Sequence, residues 1–552
     1  MTIKRGTYDA TEFSGTSRDV ADVLIVGSGP SGAVYAKHLS SWGFHVVCLE
    51  QGQWVGTAEY TGNRDEYEVS MFGRWHKNGN VRGLPEDYPC EASESEVIPV
   101  MYNAVGGGTI HYGAQWPRLL PSDFRVKSLD GVAADWPLSY EELAPYYEQT
   151  DIDFAVSGMP GDPAYPEGAA APMPALPINK YGRRFAEGMN KLGWSWWPAP
   201  NAIAQKNTQG LIPCMRYGTC EAGCPNGSKA SADITHWPTA LKQGSTLITG
   251  ARVREITLNE RGLASGAIFV DSNGREHRIA ADTVVLAANG IGTPRLMLLS
   301  ESSRFPNGLA NSSGLVGRNL MMHPTAMAVG VFNEPLESWT GPAGQNIHSY
   351  EFYETDASRG FLRGAKWVTQ PTGGPLVAST IVDRGPTGAR GAQLLSDVKD
   401  ILGRSVLVAV ISEDLPHMDN RVTLDPVLKD SSGIAAPKIS YVRDQNNIDM
   451  VDWHLARTKE ALLAAGAHTV HLHGVLDDQP GHFLGTARMG DNPETSVVDA
   501  FGKSHDVPNL WIADGSIFVT GGGVNPTSTI AALALRGVTE MVRQAADQEV
   551  AS

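Results

Sequence analysis

At 552 residues, 42% hydrophobic and 19% charged, the chain reads as a folded globular protein of two linked domains rather than a disordered polymer. Its formal net charge of −16 excludes the basic face that nucleic-acid binding needs. Five cysteines, unevenly placed, exclude a secreted disulfide framework. The opening Met1-Thr2-Ile3-Lys4-Arg5-Gly6 leads into polar sequence without the apolar core of a secretory signal. The expected location is therefore cytoplasmic, with no membrane span and no nucleic-acid partner.

The first informative element is the apolar run Val23-Leu24-Ile25-Val26, which predicts a buried parallel strand. Gly27-Ser28-Gly29-Pro30-Ser31-Gly32 follows at once, then helical spacing over 33–39, then a second strand over 45–49 that ends at Glu50. Strand, glycine turn, helix and acid in that order form a dinucleotide fingerprint. The glycines allow a tight turn and close approach to pyrophosphate, the helix N-terminus favours its charge, and Glu50 is placed to bond ribose hydroxyls. These residues alone leave FAD and NAD equally open.

Further along, Gly106-Gly107-Gly108-Thr109-Ile110-His111-Tyr112-Gly113 can lie against a flat ring or a phosphate. Ser139 with Glu142 predicts a capped helix start, and the Pro/Gly/Ala-dense stretch 158–177 predicts a loop. Strands are expected over 252–258, 267–270 and 282–288, the last followed by Asn289-Gly290-Ile291-Gly292-Thr293-Pro294 and a Leu/Met helix that suits a return to the first sheet. From 327 to 470 strand-like runs alternate with long loops, which predicts a substrate domain on an antiparallel sheet. Trp194, Trp196 and Trp197 offer faces on which a sugar could stack, although such aromatic runs are usually core.

Two C-terminal segments carry the chemistry. His482 stands in Gly481-His482-Phe483-Leu484-Gly485, and Asn525 stands in Gly521-Gly522-Gly523-Val524-Asn525-Pro526, a turn that opens an Ala/Leu-rich helix. An imidazole takes a proton near neutral pH, and an amide orients a hydroxyl without charge. The pair points to alcohol oxidation, with His482 as base and Asn525 on the same oxygen.

Taken with Leu510-Trp511-Ile512-Ala513-Asp514-Gly515-Ser516, these segments resemble, in order and over nearly the whole chain, the glucose–methanol–choline (GMC) flavin oxidoreductases. Within them the chain is similar to bacterial sugar dehydrogenases and to pyranose and glycoside oxidases, through 107–124, Ser412-Glu413-Asp414-Leu415-Pro416 and the His/Asn pair. The resemblance implies FAD rather than NAD. It implies an α/β Rossmann-like FAD domain, discontinuous in sequence (1–150, 215–325 and 471–552), and an α+β substrate domain on an antiparallel sheet (151–214 and 326–470). It implies cofactor contacts from Gly27, Gly29, Ser31, Gly32, Glu50, Gln51, Gly107, Gly108, Thr109, His111, Tyr112, Gly113, Val253, Ala288, Asp514, Asn525 and Thr527. In pyranose-oxidase-like relatives a histidine matching His111 is covalently joined to the flavin. Here its neighbours are Ile110 and Tyr112 rather than Thr and Trp, so contact is expected and a covalent bond is not favoured.

The implied reaction takes a secondary hydroxyl of a sugar or glycoside to a ketone, the hydride going to flavin and the proton to His482. Electrons then pass to oxygen, a quinone or a cytochrome. A non-sugar alcohol (sterol, aryl or natural product) stays open as substrate. So does a flavin electron-transfer subunit, against which the His482/Asn525 pair argues, because electron transfer needs no base. Cys214, Cys220 and Cys224-Pro225 have spacing suited to iron–sulfur ligands, weighed against three reduced thiols tightening a loop. A similar spacing occurs in the sugar dehydrogenases, some of which are exported with a small partner subunit. That leaves a periplasmic location as the alternative.

Overall fold

Val23-Leu24-Ile25-Val26 lies in the middle of an eight-stranded sheet in the computed structural model, which describes residues 3–551 apart from 14, 384–389 and 478–480. The strand order is Gly6–Asp9, Thr246–Thr249, Val46–Leu49, Thr16–Val26, Glu276–Leu286, Ala264–Val270, Arg252–Leu258, with Leu510–Ile512 also paired to Glu276–Leu286. The core pairs are parallel: Leu24 faces Val47 on one side and Val284 on the other, and Val284 faces Leu510. Continuous apolar runs suit this, because helices cover both faces. Pro30–Ser41 and Thr527–Ala551 pack against each other over one face, which puts residues from both ends of the chain into one core. The last two strands are antiparallel, so the sheet is mixed.

A six-stranded antiparallel sheet forms the second layer system: Thr469–His473, Thr325–Val331, Ser405–Ser412, Ala365–Gln370, Ile347–Ser349, Trp197–Pro198. Alternation sorts its side chains. Ala326, Ala328, Trp367, Val406, Val408 and Val410 face the helices Lys180–Leu192 and Gln445–Ala464. Met327, Val329, Val368, Leu407 and Ala409 face the other way, toward Pro375–Asp383. The fold is thus the α/β domain plus antiparallel-sheet domain that the sequence predicts. Ser139 caps Tyr140–Asp153 as predicted, its Oγ accepting from Glu142 N at 3.3 Å and its N–H donating to Glu142 at 2.7 Å. Within the predicted loop 158–177, Met173–Pro174 pairs with Ser157–Gly158. The helices Pro375–Asp383, Gly391–Ile401 and Gln445–Ala464 fall where the sequence predicts strands and loops. Gln445–Ala464 is nucleated by Asp444, whose carboxylate accepts from Asn447 N at 2.8 Å.

His454, on Gln445–Ala464, gives this fold a pH signature. Its Nδ1 accepts from Trp367 Nε1 at 3.0 Å, and burial pulls its pKa down to about 3. Between the unfolded value of roughly 6.5 and about 3, the unfolded chain holds a proton that the folded chain does not. This ring therefore withdraws stability as pH falls from about 6.5, by about 1.4 kcal/mol per unit. His454→Gln keeps an acceptor for Trp367. Urea unfolding at several pH values between about 6 and 4 is expected to show the variant's stability falling less steeply by about that amount per unit; parallel curves refute the assignment.

Candidate active site

Between the two sheets lies a cavity of about 710 Å³. The glycine turn forms one end. Gly27 has φ +101°, its N–H bonds Leu49 O at 2.9 Å, and a Cβ there would stand 2.4 Å from Ala287 O, so only glycine fits. Ser28 N and Oγ donate to Glu50 Oε2 at 2.9 and 2.6 Å, and Gly52 N donates to Oε1 at 2.9 Å. These bonds hold the carboxylate in place; burial raises its pKa while they pull it back. A Cβ on Gly29 or Gly108 would meet nothing within 4 Å, although both line the cavity. Open backbone at a helix N-terminus beside a buried acid fits a dinucleotide.

Of the predicted cofactor residues, Gly27, Gly29, Ser31, Glu50, Gln51, Gly107, Gly108, Thr109, His111, Tyr112, Gly113, Val253, Ala288, Asp514, Asn525 and Thr527 line this cavity. Gly32 does not line it. A Cβ there would lie 2.1 Å from Gly27 O, so its part is to let helix and strand approach.

His111 packs against Tyr102, with ring centroids 4.3 Å apart, and against Trp75 at 5.8 Å. Burial, followed by Arg82, Lys229 and Lys77, pulls its pKa well below 6.5, with the Glu221 backbone opposing, so the ring is neutral. Lys229 anchors this passage from beneath. It is buried and donates to Ile110 O at 2.6 Å, Tyr112 O at 3.1 Å and Cys220 O at 2.6 Å.

At the cysteine trio the structure supports the loop reading and gives no support to a cluster. Cys214, Cys220 and Cys224 are free thiols, and among the described residues no group of three or more His, Cys, Asp or Glu could hold a metal ion. Cys214 Sγ accepts from Arg216 N and Cys224 Sγ from Ser228 N, both within the loop, and burial pushes the Cys220 thiol up to about 12. Sulfurs turned to their own backbone N–H groups tighten a loop, which is the arrangement the loop reading describes.

The C-terminal pair meets in the cavity. His482 Nε2 is 3.5 Å from Asn525 Nδ2, and His482 Nδ1 is 2.9 Å from Nδ1 of His323. Asn525 Oδ1 accepts from Lys366 Nζ at 2.5 Å, and Lys366 also reaches Gln115 Oε1 at 3.0 Å and Gln345 Oε1 at 3.2 Å. Burial, then His323 and Lys366, hold His482 well below its usual pKa. The arrangement offers a neutral imidazole and an amide N–H converging on one point, which can strip a proton from a hydroxyl and fix its oxygen. His323 and Lys366 were not legible from sequence. The available signal for Lys366 is a lysine at a core-facing position of Ala365–Gln370, a strand otherwise buried apart from its last residue.

The antiparallel sheet and Pro375–Asp383 add a largely apolar wall to the cavity, Met327, Leu407, Ala409 and Ile411 with Val377 and Ile381, to which Thr325 and Thr380 contribute hydroxyls. Gln370 also lines the cavity, and its Nε2 donates to Ala343 O and Gly344 O at 3.1 and 3.0 Å. The tryptophans lie elsewhere. Trp194 packs into the core against Trp367, while Trp196 and Trp197 line a separate crevice of about 220 Å³.

Comparison with known proteins agrees with this geometry. Residues 22–325 and 416–534 match the N- and C-terminal family models described as GMC oxidoreductase. The chain is 42% identical over 538 residues to 2-methyl-1,2-propanediol dehydrogenase of Mycolicibacterium austroafricanum, covering 96% of this chain and 97% of that one. It is 29% identical to the fructose dehydrogenase large subunit of Gluconobacter japonicus, covering 94% and 96%. A formate oxidase structure from Aspergillus oryzae, described for its FAD modification, superposes with a TM-score of 0.65 at 15% identity, covering 96% of this chain and 99% of that one. With a dinucleotide turn, a histidine–asparagine pair on the same cavity and these matches over most of its length, the chain belongs to the GMC oxidoreductase family.

Proposed function

We propose that the cavity holds FAD and that the chain oxidises an alcohol whose hydroxyl sits between His482 and Asn525. The observation that carries this is the convergence of His482 Nε2 and Asn525 Nδ2, 3.5 Å apart, on the cavity that Gly27 and Glu50 also line. Bound FAD supplies the acceptor for the hydride that leaves the carbinol carbon. His482 accepts the hydroxyl proton at Nε2. Asn525 donates to the same oxygen and so selects which C–H is presented. Gly29, Ser31 and the helix N-terminus at Pro30 would hold the pyrophosphate, Glu50 the ribose, and the passage from Gly107 to Gly113, His111 included, the ring system. The mixed sheet with its helices is the cofactor domain in this reading, and the antiparallel sheet covers the substrate.

The largely apolar wall of Met327, Leu407, Ala409 and Ile411, with the hydroxyls of Thr325 and Thr380 beside it, supports a compact alcohol or diol with an apolar body, because most of a sugar's hydroxyls would face apolar surface. The likeness to a propanediol dehydrogenase supports the same class. A sugar or glycoside is the second reading, supported by the likeness to fructose dehydrogenase. Electrons then leave for oxygen, a quinone or a cytochrome. Mixing the yellow protein anaerobically with branched aliphatic diols, monosaccharides and glycosides tests all of this. Bleaching by the diols and not by the sugars is expected. Bleaching by sugars alone overturns the substrate class, and no bleaching by any alcohol overturns the reaction. Readmitting air or a quinone then identifies the acceptor.

A further inference from the structure

The hydrogen bonds around His482 fix more than its position. Lys366 has no exposed surface, and its Nζ meets three oxygens, those of Asn525, Gln115 and Gln345, with no carboxylate among the described residues in hydrogen-bond range. Burial pulls the Lys366 pKa well below its usual value, but the three oxygens around Nζ match the three donors of an ammonium, which has no acceptor, and so favour the charged form against that pull. Gln345 is held in that sense independently, its Nε2 donating to Pro200 O at 2.6 Å. Lys366 therefore requires the oxygen of the Asn525 amide, and the amide nitrogen must turn to His482 Nε2. An amide nitrogen only donates, so Nε2 must carry its lone pair and the His482 proton must sit on Nδ1. That proton points at His323 Nδ1, 2.9 Å away, which must accept. The His323 proton is then on Nε2, which is buried beside Gly521 with no well-aligned hydrogen-bond acceptor among the described residues; burial lowers this ring's pKa to about 4, and the nearby backbone of Gly521 and Gly522 opposes that shift.

We infer that Lys366 and His323 are positioning residues that together set the tautomer of His482, leaving Nε2 free to take the substrate's proton. Polarity runs one way along the chain Lys366, Asn525, His482, His323, and each link follows from the one before it. The inference rests on the proposed role of His482 as base.

The test is long-range proton–nitrogen NMR on holoenzyme labelled with ¹⁵N-histidine, with His482 assigned from the signals lost in His482→Gln. The wild type is expected to show His482 protonated at Nδ1. Lys366→Arg, which keeps donors only, should retain that tautomer. Lys366→Met should populate the Nε2–H form and slow flavin reduction on the order of 10-fold to 100-fold, with substrate affinity little changed. His323→Gln, whose carbonyl still accepts, should hold the tautomer, and His323→Met should not. An Nε2–H ring in the wild type overturns the inference, as does a Lys366→Met spectrum identical to wild type. If Lys366→Met does not fold, Asn525→Asp serves instead. Its second carboxylate oxygen accepts from Nε2 and should draw the proton there; an unmoved proton overturns the inference. Failure of the proposed reaction would look different: flavin reduction would survive in His482→Ala while the wild-type tautomer pattern stood.

Discussion

In His482→Ala, reduction of the flavin by an alcohol substrate is expected to slow by about 10²–10⁴-fold, the usual contribution of a positioned general base. Substrate affinity should change far less, because Asn525 and the apolar wall remain. His323 stands behind His482, its Nδ1 2.9 Å from Nδ1 of that ring, so in the variant it is separated from the hydroxyl by the space the imidazole filled. Asn525 has no basic nitrogen, and Lys366 is turned into its three oxygens. The pH dependence has a definite sign. A base works in its unprotonated form, so activity fails as pH falls through its pKa. Burial and two neighbouring basic side chains hold His482 well below 6.5, so the wild-type rate should stay level from neutral into mildly acidic solution and fall only beyond that. Stopped-flow reduction at several pH values measures both. An undiminished rate in the variant removes His482 from the mechanism, and a fall centred near 6.5 in the wild type removes the burial argument.

What the sequence shows and what it hides divide along one physical line. The dinucleotide turn is legible because its chemistry is local: strand, glycines, helix and Glu50 lie within one short stretch, and Ser28 bonds Glu50 across adjacent strands. His482 and Asn525 are legible through glycine-bounded segments whose order along the chain resembles a family. Lys366 and His323 are not, because their meaning comes from contacts with residues 159 positions away. No periodicity carries such a pairing. The helix Gln445–Ala464 is missed for a related reason. Its apolar residues serve two neighbours, the antiparallel sheet and the helix Lys180–Leu192, so no single clean stripe marks it. The cysteines leave two readings open at the level of sequence. Their spacing is right for a cluster, but backbone N–H groups of the same loop take up two of the sulfurs.

Arg363→Met is expected to cost about 3–5 kcal/mol of stability, because it leaves carboxylates buried without their cation. Arg363 is 1% exposed. Its Nε donates to Glu413 at 2.8 Å, one terminal nitrogen donates to Asp123, and the other donates to Asp130 at 3.2 Å. Its backbone sits at φ +65°, a left-handed conformation that a long side chain adopts only when its surroundings compel it. Asp123 passes this order to the active site. It accepts from Tyr353 Oη at 3.0 Å, Tyr353 Oη accepts from Gly523 N at 2.7 Å, and Thr520 Oγ1 donates to Asp123 O at 3.0 Å. The turn that presents Asn525 thus hangs from the same cluster, and the variant should lose activity along with stability. Burial already holds the Asp123 carboxyl up at about 7 with the guanidinium present. Without Arg363 it must rise further, so the folded variant gains a proton that the unfolded chain lacks. The penalty is then greatest at alkaline pH and shrinks as pH falls to about 7, below which the wild-type carboxyl also holds its proton and the two stability curves run parallel. Urea unfolding at about pH 8 and pH 6 should show wild type and variant converging at the lower value. A loss that does not change with pH would mean that the arginine acts by packing rather than by charge.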